Sequence, residues 1–299
     1  MDTSPAICSN GPTSVRLEKC AYLKFSVFDF MSTENFIQNS SAFLASPTWA
    51  STTSTTPGFA YPGGKKRIRN NIVNFMPKSG STYAEPFAGR ANVFWLAATT
   101  LQFSNWWLND LRTAPFLHAI ISHGSTLEVP EHTRQEFERQ KIVRRRGDPT
   151  AILLEPYLSY SGAGYAASYR PTKGAPLRHH YQNTLRCAHQ IMLQTQPTIT
   201  NLDWKLVVAD LNDDDFAYVD PPYAAAKVHG YGPGDLDYVE MVSTLKNARF
   251  RWLLSEYYQP IYVEAFGEPI WRKEVQLCST NFRHDGGKEK RIECLWRNY

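Results

Sequence analysis

From Phe59 onward, short apolar runs alternate with amphipathic stretches along the chain. Ile68, Ile72, Val73 and Phe75 recur at roughly helical spacing and predict a helix within Lys66–Phe75. Ser81–Glu85 reads as a short strand, Ala91–Leu101 as a helix and Asn105–Asn109 as a second strand. Leu206–Ala209 and Phe216–Val219 are continuous apolar runs of the kind that strands buried on both faces show. Asp235 is placed to cap a helix running to about Asn247, and Phe250–Leu254 reads as another strand. Ile270–Leu277 and Ile292–Trp296 would form a terminal antiparallel pair. Strands alternating with helices predict an α/β fold: a doubly wound, mostly parallel, Rossmann-like sheet with helices on both faces.

The alternation is interrupted over residues 112–204. This stretch carries Arg134, Arg139, Lys141 and the run Arg144-Arg145-Arg146, then a loop rich in Gly, Ser and Tyr from Tyr160 to Gly174. A helical pattern resumes over Arg178–Gln194. An inserted, mostly helical second domain is expected here, with 59–111 and 205–299 forming the core. Residues 1–58 differ from both. The segment from Ser46 to Thr56 is rich in Ser and Thr and leads into Pro57-Gly58. It holds too little apolar surface to offset the entropy of ordering it, which predicts a flexible N-terminal extension.

Composition narrows the class only slightly. The 299 residues are 42% hydrophobic and 20% charged, ordinary for a globular chain able to bury its own core. A formal net charge of +4 leans mildly toward anionic partners. Five cysteines, an odd number without a CxxC pair, argue against a disulfide framework or a zinc knuckle and fit a reducing compartment. His179-His180 lies in no HExxH pattern, and no metal site is expected. No apolar run approaches the roughly 20 residues that span a bilayer, and no basic-then-apolar leader is seen. The expectation is a cytoplasmic protein without membrane contact.

Three motifs carry chemistry. Asp220-Pro221-Pro222-Tyr223 follows the run Phe216–Val219 and so sits at a strand's carboxyl end, where open α/β sheets bind ligands. A carboxylate and a carbonyl held rigid by successive prolines are two acceptors suited to an amine, and a tyrosine ring can stack on a base. Glu85-Pro86-Phe87-Ala88-Gly89 is a strand ending in a small-residue turn, a nucleotide-type cradle. Asp110 lies about 20 residues further on, where an acid can bind ribose hydroxyls or simply cap a helix. Tyr61-Pro62-Gly63-Gly64-Lys65 suggests a loop wrapping a charged ligand, although the spacing is not that of a Walker loop.

In this order the three segments resemble the DNA adenine methyltransferase family, over about residues 60–299. Asn109-Asp110 matches the family's Asn-Asp pair, Asp210 after Leu206–Ala209 resembles its strand-end acid, and Glu293–Tyr299 resembles its last strand. The resemblance implies that Tyr61, Pro62, Gly63, Gly64, Lys65, Glu85, Phe87, Ala88, Gly89, Asp110 and Asp210 hold S-adenosylmethionine. It implies that Asp220, Pro221, Pro222 and Tyr223 hold an adenine flipped out of double-stranded DNA, with residues 112–204 as target recognition domain. Such a protein would associate with the nucleoid through its substrate.

Candidate DNA contacts are Arg144, Arg145 and Arg146 for phosphates, and Tyr165, Tyr169, Arg170 and Lys173 in the recognition loop. Two departures stand out: Arg90 replaces a further small residue of the glycine turn, and the insert lacks the family's Asn-x-Pro hairpin. The family's usual GATC target is therefore not carried over. RNA is the nearest alternative substrate, and a non-catalytic nucleic-acid binder is the alternative of another class. The related glutamine methyltransferases commonly carry Asn where Asp220 stands.

Overall fold

The computed structural model describes residues 56–171, 173, 175–223, 236–276 and 290–299. The expected flexible extension lies almost wholly outside them.

Four parallel strands lead the fold. They are β1 (Ser79–Glu85), β2 (Gln102–Asn109), β3 (Thr198–Thr200) and β4 (Phe216–Val219). A fifth, β5 (Arg251–Tyr257), runs parallel to β4, and β6 (Trp271–Gln276) and β7 (Lys290–Arg297) follow. The sheet order is β3-β2-β1-β4-β5-β7-β6, and β7 runs antiparallel to both neighbours. The order turns between β1 and β4, the switch point at which such sheets bind ligands beyond the strands' carboxyl ends. Every residue of β4 is buried, as its unbroken apolar run implies for a central strand. The doubly wound, mostly parallel α/β architecture read from the sequence is the one observed.

Helices cover both faces. One apolar cluster joins Tyr83 and Trp106 of the sheet to Phe94 of α2 (Phe94–Thr100) and Phe116 of α3 (Ala114–His123). The same cluster continues into Leu153 and Tyr157 of α5 (Thr150–Leu158) and Leu185 of α6 (Arg178–Thr195). The stretch expected as an insert is therefore helical and shares one core with the sheet. Its α4 (Arg134–Arg145) is N-capped by Thr133, whose hydroxyl accepts from the Glu136 amide. The opposite face packs α7 (Trp204–Ala209), α8 (Tyr238–Lys246) and α9 (Pro260–Phe266) on Ala217, Leu254 and Trp296. The helix expected within Lys66–Phe75 is α1 (Arg69–Asn74).

Two local expectations are corrected. Leu206–Ala209 is not a strand but the end of α7. Trp204, Val207 and Val208 fall at i, i+3 and i+4 and are buried, Leu206 is exposed, and Asp203 caps the turn by accepting from the Lys205 amide. Four consecutive apolar residues cannot by themselves distinguish the two periods. The third strand is instead β3, only three residues long and marked by no apolar run. For α8, Asp235 lies outside the described residues, and the observed cap is Asp237, which accepts from the Val239 and Glu240 amides.

Gly162 ties the insert to the glycine loop. Its φ is 69°, and a side-chain carbon there would lie 2.0 Å from the Ala60 carbonyl oxygen. Gly147, with φ of 88°, has open space around it. Gly162→Ala should therefore cost about 1–3 kcal/mol more stability than Gly147→Ala, because backbone must move in the first and only φ is strained in the second. Urea unfolding midpoints compare them, and equal losses would contradict the close-contact account.

Candidate active site

The site is assembled from the carboxyl ends of β1 and β4 and the loop before α1. β1 delivers Glu85, which is buried with Oε1 2.6 Å from the Tyr83 hydroxyl that donates to it. Burial, the largest influence, and the neighbouring Asp220 charge push its pKa up to about 8, against bonds that lower it. After Glu85 the chain turns through Gly89 with φ of 54°. A side-chain carbon on Gly89 would lie 3.1 Å from the Tyr61 ring, so the two glycine loops pack against each other there.

Asp110 organises that turn. Its carboxylate accepts from the Gly89 amide at 2.9 Å and from the Arg112 and Thr113 amides, both at 2.8 Å. The Thr113 hydroxyl in turn donates to the Gly89 carbonyl. Of the two roles open for Asp110, turn-capping is the one its observed bonds serve. Asn109 locks the adjacent strand, donating to the Pro86 and Leu202 carbonyls and accepting from the Leu202 amide. Phe87 reaches the Trp204 ring, with centroids 6.1 Å apart.

The loop Tyr61–Lys65 is held from behind. Asn92 brackets Phe59, accepting from its amide and donating to its carbonyl, both at 3.0 Å. Arg90 is buried and points away from solvent into the joint with the insert. It donates to the Ala60 and Gly162 carbonyls at 2.6 and 2.8 Å and pairs with Glu155 at 2.9 Å. Gly63 takes φ of 77°, and the Gly64 amide closes a turn onto the Tyr61 carbonyl. Lys65 is thereby folded back, and its ammonium donates to the Gly63 carbonyl at 2.8 Å.

Lys65 is the centre of the charged cluster. Its Nζ lies 2.7 Å from Asp220 Oδ1, 3.6 Å from Glu293 Oε1 and 4.4 Å from the centroid of the Tyr223 ring. Burial works against its charge, but Asp220 and Glu293 together outweigh it and raise its pKa. Burial also pushes the Asp220 carboxyl up to about 6, with Lys65 pulling the other way and Glu293 adding to the rise. Among the described residues no well-directed hydrogen bond reaches Asp220 Oδ1, although the ion pair does. Tyr223 is fixed by its hydroxyl, which donates to Glu293 and lies 3.0 Å from Ser255 Oγ. Ser255 also donates to Glu293 at 2.9 Å, and the Tyr238 hydroxyl donates to the Pro222 carbonyl at 2.6 Å.

Residues 61–139 match the family model of the D12 class N6 adenine-specific DNA methyltransferases. Over those residues the match agrees with the resemblance read from the motifs. The adenine methyltransferase match takes in the glycine loop, the Glu85–Gly89 turn and Asn109-Asp110, and ends before Asp220. No curated protein matches the chain. Among solved structures, precorrin 8w decarboxylase from Methanobacterium thermoautotrophicum aligns with 11% identity and a TM-score of 0.32. That alignment covers 78% of this chain and 89% of the other.

Several expected residues lie elsewhere than predicted. Asp210 ends α7, is exposed and follows no strand. The acid beyond the third strand is Asp203, which the strand misreading hid. Tyr165 is not a surface contact: it is buried, its hydroxyl donates to the Ala151 carbonyl at 2.9 Å, and its ring packs on Phe137. Tyr169 is half-buried, 3.0 Å from His132 Nδ1. Arg170 is half-buried, while Lys173, Arg145 and Arg146 are exposed. Arg144 lies 3.6 Å from Glu155 and so joins the Arg90 cluster.

Glu293 and Ser255 were not foreseen as site residues. The signal for Glu293 was a lone acid in the run Ile292–Trp296.

An acid whose folded pKa is raised keeps its proton in the fold. Glu85 therefore weakens the fold progressively as pH climbs from about 4.5 to about 8. Glu85→Gln should stabilise the protein at pH 8, on the order of 3 kcal/mol, and leave it unchanged near pH 4. Thermal unfolding at both pH values measures this, and a gain independent of pH would refute it.

Proposed function

We propose that the chain transfers a methyl group from S-adenosylmethionine to the N6 amine of an adenine flipped out of double-stranded DNA. The observation that carries the proposal is the contact between two motif loops far apart in sequence: Lys65 of the glycine loop is ion-paired with Asp220 at 2.7 Å. The site fits the donor on two counts. Gly63 and Gly89 take positive φ and leave the loops without side chains at those points. Asp220 and Glu293 around the single ammonium of Lys65 leave one negative charge in excess, which a sulfonium cation would balance.

Tyr61, Pro62, Gly63, Gly64, Phe87, Ala88 and Gly89 would line the donor, with Phe87 and Trp204 as apolar walls. Asp110 would act on the donor through the turn it holds. Bound S-adenosylmethionine supplies an electrophilic methyl. Asp220 and the Pro221 carbonyl would each accept one N–H of the adenine amine and so orient its lone pair. Tyr223, held by Glu293 and Ser255, would offer its ring to the base. Arg145, Arg146 and Lys173 are exposed cations available for phosphates, and residues 112–204 would act as the recognition insert.

Asp220→Ala should lower methyl transfer by about a hundredfold or more while S-adenosylmethionine binding largely survives. Labelled-methyl incorporation into duplex DNA, RNA and protein, with calorimetry of donor binding, tests both the residue and the substrate. Incorporation into RNA alone, or normal turnover by the variant, would overturn the assignment.

A further inference from the structure

Asp220 is asked for two partners in the role just proposed. To hold a substrate amine it must accept an N–H, and one of its two oxygens, Oδ1, already carries the Lys65 ammonium at 2.7 Å. A buried cation does not leave its counter-ion for apolar surroundings, because an uncompensated buried charge is strongly unfavourable. It can leave only if another anion stands within reach. Glu293 does. It is buried, and it projects from the last strand of the sheet with Oε1 3.6 Å from the same ammonium.

Glu293 is also held still. The Tyr223 and Ser255 hydroxyls both donate to that oxygen, so the carboxylate is oriented toward Lys65 by two separate elements. Lys65 in turn keeps its bond to the Gly63 carbonyl, which gives the ammonium a pivot between the two acids. The charged and titratable groups around the pair are few. Glu85 faces Asp220 from β1, Tyr218 from β4 and Tyr223 from the turn that follows, while Tyr257 faces Lys65 and Glu293 from β5. Glu256 and Arg291 also act on Tyr257, and Lys65 is a cation that the two carboxylates share.

Resting on the adenine reading above, we propose that Glu293 is a positioning residue: an alternative counter-ion that receives Lys65 when the substrate amine takes its place on Asp220. Lys65 then moves by a rotation of its own side chain, with no change in net charge and no exposure of the ammonium. Tyr223 is registered by the same carboxylate, so base stacking and release of Asp220 are coupled through one group.

Three measurements on the full chain test this. Carbon-13 NMR of the donor-free protein should show the Asp220 carboxyl titrating at lower pH in Glu293→Gln than in wild type, and unchanged in Glu293→Asp. With duplex DNA, Glu293→Gln should lose about tenfold in kcat at nearly constant KM, and Glu293→Asp should recover most of it. A crystal structure of the wild type with S-adenosylhomocysteine and an adenine-containing duplex should place Lys65 nearer Glu293 than Asp220. Lys65 still seated on Asp220 in that complex would overturn the inference even if neither variant folds. So would equal kcat losses in both variants, or an Asp220 titration indifferent to Glu293. A wild type that methylates no DNA would instead sink the adenine reading, and the donor-free titration would still report on the shared cation.

Discussion

A buried ammonium between two carboxylates is the constraint around which the site is built. Lys65 has no solvent to fall back on, so its position fixes the loop that carries it, the turn after β4 and the end of β7 together. An isolated buried charge is unfavourable by more than most folds can tolerate. Each of the three segments is therefore held in place by the other two as much as by its own packing. The glycines before Lys65 make the sharp return possible, and the prolines after Asp220 restrict the backbone that carries the carboxylate.

The second layer is made of backbone turns stapled by side chains. Asp110, Asn109 and Asn92 direct most of their polar atoms at main-chain groups, and Asn109 also accepts from the Thr200 hydroxyl. Such bonds are individually modest. Their value lies in where they fall, at the two turns that close over the switch point between β1 and β4.

The sequence made much of this visible, for definite reasons. β4 was legible because a fully buried strand shows an unbroken apolar run, and the motif loops were legible because Gly, Pro and Asp fill positions few other residues can. β3 was not, since three half-exposed residues carry no pattern. α7 was mistaken because its buried stripe falls within a run too short to reveal a period, and Asp210 went with it. Tyr165 was misjudged because a loop rich in Gly and Tyr looks exposed until its ring is seen under the insert. Glu293 was missed because contact between a last strand and a first loop is a fact of topology that no local pattern encodes.

Arg90 gives the architecture a further property. One guanidinium spans the carbonyl of Ala60 in the glycine loop, the carbonyl of Gly162 and the acid Glu155. The helical stretch 112–204 is consequently riveted to the glycine loop instead of hanging from it as a separable module. Grafting a foreign insert onto this scaffold would fail unless the graft brought its own anion and its own close-approaching glycine. Sequence change in this stretch is least constrained at its distal end, while its root must keep the groups that Arg90 joins.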